Sequence, residues 1–154
     1  MLRDFAYKFN EGPFDTEQEL IGEWYVGNCR RAVQLYLYKL RGIFLKPEQI
    51  LCPEAYKETG DFVTGNNTPF SFAELSDGDV IYAEGLKNKH GEALDKSLPT
   101  FETKDEYLVL LHTALFTGEK GKEIWHATAV EGGSCFWSLE SFLTYYKPVA
   151  AKRI

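Results

Sequence analysis

Apolar and polar residues recur with two different periods along this chain, and the change of period divides it. Over residues 29–41, CRRAVQLYLYKLR, the apolar positions follow a helical spacing in which Ala32, Val33, Tyr36, Leu37 and Leu40 form one stripe. Asn28 precedes the stripe as an N-cap that accepts from the free amides of the first turn, and Gly42 follows as the residue that ends the helix. A shorter helix is expected over residues 14–24, FDTEQELIGEW, with Asp15 or Thr16 as cap and Gln18 or Glu19 three residues on. Pro47 and Gly60 then predict a turn and a break around one or two short helical turns.

After Ser76-Asp77-Gly78-Asp79, a strong turn, the period changes to that of strands. Residues 79–84 read as a strand, and 106–118, EYLVLLHTALFTG, as a central strand covered on both faces. Residues 122–130, KEIWHATAV, return as its hairpin partner across GEKG. Between these strands, residues 85–106 are polar and lysine-rich, a surface loop or an exposed hairpin. WSLESFLTYY closes the chain as a helix capped by Ser138. Helices first and mostly antiparallel strands after them predict an α+β fold, with helices packed on the sheet. Without an internal repeat or long linker, residues 1–154 are expected to form a single domain.

Composition changes this picture little. With 44% hydrophobic and 26% charged residues the chain has the make-up of a packed protein, and its formal charge of −6 argues against nucleic-acid binding, which needs a concentrated basic face. No run approaches the roughly 18 apolar residues of a membrane span. The N-terminus shows no apolar stretch ending in a small-residue cleavage site, so the expected location is cytoplasmic, with secretion or effector-like export as the alternative. The three cysteines, Cys29, Cys52 and Cys135, match no metal-binding spacing or paired framework. Neither a metal nor an organic cofactor is expected.

Chemistry enters at Cys29. A thiol in the first turn of a helix meets the positive end of the helix dipole and unsatisfied amides, both of which favour thiolate; a buried cysteine is equally a common packing residue. Arg30 and Arg31 stabilise an anion nearby or form a solvated face. A nucleophilic cysteine needs a base and a group that orients the base. His90 lies in the polar loop, whereas His112 and His126 each interrupt an apolar strand, where an unpaired imidazole carries a penalty of about 1–3 kcal/mol. If Thr117 faces Gly121 across a three-residue turn, Gly118-Glu119-Lys120, both histidines fall directly opposite one another on one sheet face. Cys52 and Cys135 have no histidine at a motif-like distance and read as structural. Asp79 reads as a turn residue bonded to nearby backbone.

Taken in order, NCRRAVQLYLYKLRG, LSDGDVIYAE, HTALFTG and IWHA resemble the NlpC-type cell-wall cysteine peptidases, a compact branch of the papain-like fold, over roughly residues 20–130. The resemblance implies Cys29 as nucleophile, His112 as general base and then acid, and His126 as the residue orienting His112. It also implies Tyr25 near the oxyanion. Asn28, Arg30 and Arg31 stand where the family has Asp, Ser and Gly, which places Arg30 in the substrate region and bears on which substrate enters. The implied reaction is hydrolysis of an amide bond in a small peptide or a peptidoglycan stem peptide through a thioester acyl-enzyme. The alternatives are an acyltransferase or thioesterase of the same superfamily, and a non-catalytic binding domain that keeps the fold.

Overall fold

The computed structural model describes residues 14–20, 22, 29–46, 49, 60–65, 68–87, 90–93, 111–128 and 130–154. Helix α1, Glu17–Leu20, is a single turn. Glu19 reaches back to accept from the amide of Asp15 at 3.2 Å, just ahead of the helix. Helix α2, Cys29–Arg41, has the bounds its periodicity predicts. Gly42, at φ 68°, closes it by donating to Tyr38 O at 2.9 Å. Asn28 lies outside the described residues, as do Tyr25 and Cys52.

The buried side of α2 is wider than one stripe. Ala32, Val33 and Leu37 are buried as expected, but Leu35 is fully buried and Leu40 is 58% exposed. Phe14, Leu20 and Leu45 belong to the same core cluster, so α2 is covered by flanking chain as well as by the sheet. Each such large apolar side chain contributes about 1.5–3 kcal/mol on burial. The flanking segments are tied down by Gln34, which is fully buried. Its carbonyl accepts from Phe14 N at 2.6 Å, and its amide donates to Phe14 O at 2.9 Å and Leu45 O at 2.6 Å.

The strands are β1, Asp61–Gly65; β2, Val80–Gly85; β3, Leu111–Phe116; β4, Ile124–Thr128; β5, Gly133–Trp137; and β6, Tyr146–Arg153. They form one six-stranded sheet in the order β1-β6-β2-β3-β4-β5. Every described pairing is antiparallel, so the fold is α+β with an antiparallel sheet. Helix α3, Leu139–Tyr145, starts at Ser138, whose hydroxyl accepts from Ser141 N at 3.2 Å. An isolated antiparallel bridge joins Lys87 to Ala93 within the stretch expected as a surface loop or an exposed hairpin.

Strands β1, β5 and β6 are additions to the pattern read from the sequence. Pro148 sits in β6 opposite Ala83, beside an irregularity in the β2 ladder, and the pairing of β1 with β6 reaches only Ala150. A proline is tolerated there because no β1 neighbour waits for its missing N–H. Asp79 anchors the same sheet. It is buried, accepts from Ser76 N at 2.8 Å, and takes two bonds from the Arg153 guanidinium, at 2.9 and 2.8 Å.

The two sheet faces carry different cores. Val80, Tyr82, Leu115, Trp125 and Ala127 meet α2, while Ile81, Ala83, Ala114, Ile124 and Trp137 meet Phe142 of α3. Trp125 fastens the first face by donating from Nε1 to Ala32 O at 2.9 Å, deep in the first turns of α2.

Candidate active site

The β3–β4 hairpin differs from its expected register. Leu115 pairs with Trp125 and Phe116 with Ile124, and Thr117 N donates to Glu123 O at 2.7 Å. The turn therefore runs from Gly118 to Lys122, longer than the expected Gly118-Glu119-Lys120. Two features favour the longer turn: Thr117 Oγ1 donates to Lys122 O at 2.6 Å, and Glu123 holds Gly121 N at 2.7 Å and Leu139 N at 2.9 Å through its carboxylate. Those amide bonds hold the Glu123 carboxyl below its ordinary pKa. The slip is by two residues, and two is the strand period, so His112 and His126 keep a common face.

No ladder pairing joins β3 to β4 beyond Leu115 and Trp125 on the histidine side. There, a side-chain bond spans the strands: His112 Nε2 and His126 Nδ1 are 2.9 Å apart. His112 stands opposite Ala83 and His126 opposite Cys135. The pair thus rises from the face covered by α3, not from the face on which α2 packs. The start of α2 nonetheless approaches the pair.

Two electrostatic effects report that approach. His112 is held down to about 3, first by burial and then by the positive charge of Arg30. Tyr146, stacked on His112 with centroids 4.1 Å apart and planes 13° apart, is pushed up to about 12, chiefly by burial, with charge on Cys29 and Cys135 adding to it. Part of the surface of His112 meets solvent, yet its ring is packed against Tyr146, Phe142 and His126. Those ring neighbours govern its protonation. His126 is fully buried and also held well below the ordinary value, by burial and then by His112.

Cys29 begins α2 and is partly exposed. Arg30, itself buried, donates from Nη1 to Cys29 Sγ at 3.9 Å. Among the described residues no hydrogen bond links Cys29 to His112. Arg31 does not enter this group; its guanidinium lies 3.9 Å from the centroid of the Phe14 ring. The structure therefore brings His112 directly to His126, with Arg30 and Cys29 adjoining. Tyr25 belongs to the stretch outside the described residues.

Cys135 is closer to the site than its sequence surroundings suggest. It is the cross-strand neighbour of His126, but burial, with Glu131 adding, raises its thiol to about 12. A thiol so raised stays protonated and unreactive at neutral pH. Tyr146 is the site residue that sequence reasoning missed. It sits at the junction of α3 and β6, where neither period applies, and only its place in an aromatic-rich tail marks it.

The residues left open by this arrangement are informative. His126 Nε2 is buried and has no hydrogen-bond partner among the described residues. Trp137, Phe142 and Tyr146 surround its ring, at centroid distances of 4.6, 5.7 and 5.8 Å. His112 makes no hydrogen bond from Nδ1 to any described residue. Among the described residues no three His, Cys, Asp or Glu side chains converge as metal ligands. No helix of the described chain is long and apolar enough to cross a membrane. Compared with protein-family models, curated proteins and solved structures, the chain matches none.

Proposed function

We propose that this chain is a cysteine hydrolase of papain-like, NlpC-type design that cleaves an amide bond in a small peptide or peptidoglycan stem peptide. The observation that carries the reading is the 2.9 Å bond between His112 Nε2 and His126 Nδ1. A proton shared on that axis from the His112 side leaves His112 Nδ1 with a bare lone pair, the form a general base needs. It also puts the proton of His126 on Nε2, inside the aromatic cage.

In the proposed reaction His112 Nδ1 takes the Cys29 thiol proton as sulfur attacks the carbonyl carbon. The C–S bond forms, the carbonyl electrons move to oxygen, and the Cys29 amide with a neighbouring donor holds that oxyanion. Collapse expels the amine, which leaves with the proton from His112. Water, deprotonated by the same ring, then attacks the thioester; the acid departs and the thiol is restored. Burial holds both imidazoles uncharged at rest, so the His112 Nδ1 lone pair is free before each attack. Closure of Cys29 onto His112 would accompany substrate binding, as catalytic hydrogen bonds tighten in the complex.

The test has two arms. At neutral pH, iodoacetamide followed by peptide mass mapping should label Cys29 at least about tenfold faster than Cys135, as expected for an activated against a buried thiol. Incubation with a peptidoglycan stem peptide should release an amine-bearing fragment, and Cys29→Ala should lower that turnover by about 10⁴-fold or more. Equal labelling of the two thiols and no fragment would favour a binding domain, with Arg30 against Cys29 as a closed cleft. Release of a thiol or acyl group from a thioester but not of an amine from a peptide would favour the thioesterase or acyltransferase reading.

A further inference from the structure

We propose that Tyr146 is a positioning residue for His112, holding the ring in the plane that serves both His126 and the nucleophile and stacking against the imidazolium formed in turnover. This rests on the hydrolase reading above. The geometry behind it is threefold. The His112 and Tyr146 rings are nearly parallel, 4.1 Å apart and 13° out of plane. Phe142 of α3 packs beside both rings, its centroid 5.2 Å from that of Tyr146 with 26° between planes and 6.3 Å from that of His112. The Tyr146 hydroxyl is tied to Thr128 Oγ1 at 2.9 Å, and Thr128 lies on the same strand as His126.

Rotation about the last side-chain torsion of a histidine is soft, so one hydrogen bond through Nε2 leaves the ring free to swing about that bond. A parallel ring on one side removes the swing. The phenol face carries negative quadrupole potential, so it attracts the imidazolium more than the neutral ring and acts on the charged state of the reaction. The bond to Thr128 orients the hydroxyl, while packing against Phe142 and His112 holds the phenol ring in its stacked place.

The experiment compares wild type with Tyr146→Leu, Tyr146→Phe and Thr128→Val. With stem peptide as substrate, Tyr146→Leu should lower kcat about tenfold with KM changed less than about twofold, the range expected for a partly desolvated cation–π contact. Tyr146→Phe keeps the ring and should recover most of that loss, and Thr128→Val should match Tyr146→Phe. Nitrogen NMR of the histidine rings gives a second readout without substrate: coupling across the His112–His126 bond should persist in Tyr146→Phe and Thr128→Val and weaken in Tyr146→Leu. If Tyr146→Leu does not fold, the Phe and Val variants still decide, since a loss of tenfold in either assigns the effect to the hydroxyl and overturns the stacking role. Wild-type kcat with intact coupling in Tyr146→Leu also overturns it. Absence of turnover in every protein, wild type included, would sink the hydrolase reading, while the coupling would still decide whether Tyr146 positions His112.

Discussion

Gln34 and His126 are both fully buried among apolar side chains, on opposite faces of one sheet. On the α2 face the Gln34 amide uses its carbonyl and donates two bonds, tying Phe14 and Leu45 to the helix. On the α3 face the histidines make one bond to each other, and His126 Nε2 has no partner among the described residues. An unmet buried polar group costs about 1–3 kcal/mol. The first cluster offsets its desolvation within the fold. The second does not, and a buried polar group that the fold leaves unsatisfied calls for another explanation, such as a catalytic role.

The comparison breaks most visibly at Gln34. Gln34→Ala strands the amide and carbonyl of Phe14 and the carbonyl of Leu45, and leaves a cavity beside Leu35. A loss of about 3–4 kcal/mol in denaturant unfolding is expected. Turnover per folded molecule should stay at the wild-type level, because no part of this cluster faces the histidines. A small stability change with a large activity change would reverse the assignment of the two clusters.

His126 should show the opposite balance. His126→Ala removes the acceptor of His112 Nε2 and should lower turnover about 10²-fold, within the contribution of a well-placed general base. Cys29 should remain open to alkylation, since nucleophile and base are still present. His126→Asn, whose carbonyl oxygen can accept the same bond, should retain more activity than His126→Ala. Equal turnover in the Ala, Asn and wild-type proteins would make His126 a core residue and reduce the proposed set to a dyad.

These two clusters also differ in how far the sequence disclosed them. Parity within β3 and β4 is set by alternation, so the common face of His112 and His126 was readable even though the Gly118–Lys122 turn lengthened the hairpin. Which face that is was not readable, because it depends on where α2 and α3 dock. The stripe of α2 was legible in Ala32, Val33 and Leu37, but Leu35 and Gln34 are buried by Phe14 and Leu45, contacts distant in sequence. Strand β6 was hidden by Pro148 and by Lys152, a lysine that lies buried over the Phe62 ring at 4.6 Å. Strand β5 was hidden by its opening glycine and its five-residue length. Tyr146 acquires its role only when β6 turns back along β2 and brings it over His112.

Acid should separate the clusters again, since only one of them titrates. Both imidazoles lie below their ordinary value of 6.5, His112 at about 3, so in that window the unfolded chain binds protons that the folded chain refuses. The stability tied to their neutrality is fully present above pH 6.5 and falls as pH drops toward 3, by about 1.4 kcal/mol per pH unit for each ring. Carboxylates add their own acid dependence, which a comparison of variants cancels. Between pH 7 and 5.5, His126→Asn should therefore lose about 1 kcal/mol less than wild type. The Gln34→Ala protein should follow the wild-type slope from a lower starting point. A slope unchanged by His126→Asn would mean that the ring takes up its proton over the same pH range in the folded and the unfolded chain.

The smallest effect expected is at Ser138, which tests whether the aromatic cage owes its shape to α3 or to its own packing. Ser138 Oγ accepts from Ser141 N at 3.2 Å, and Glu123 independently takes the Leu139 amide at 2.9 Å, so the helix start is held twice. Ser138→Ala removes one of these and should cost about 1 kcal/mol, a lowering of roughly 2–8 °C in Tm. Phe142, fully buried against His126 and Tyr146, should stay in place, because its position is fixed by the rings around it. Turnover and the histidine NMR coupling should then match wild type at temperatures below the transition. A fall in turnover well beyond the loss of folded protein would show that fraying of α3 reaches His112 through Phe142 and Tyr146, and that the cage depends on the helix cap.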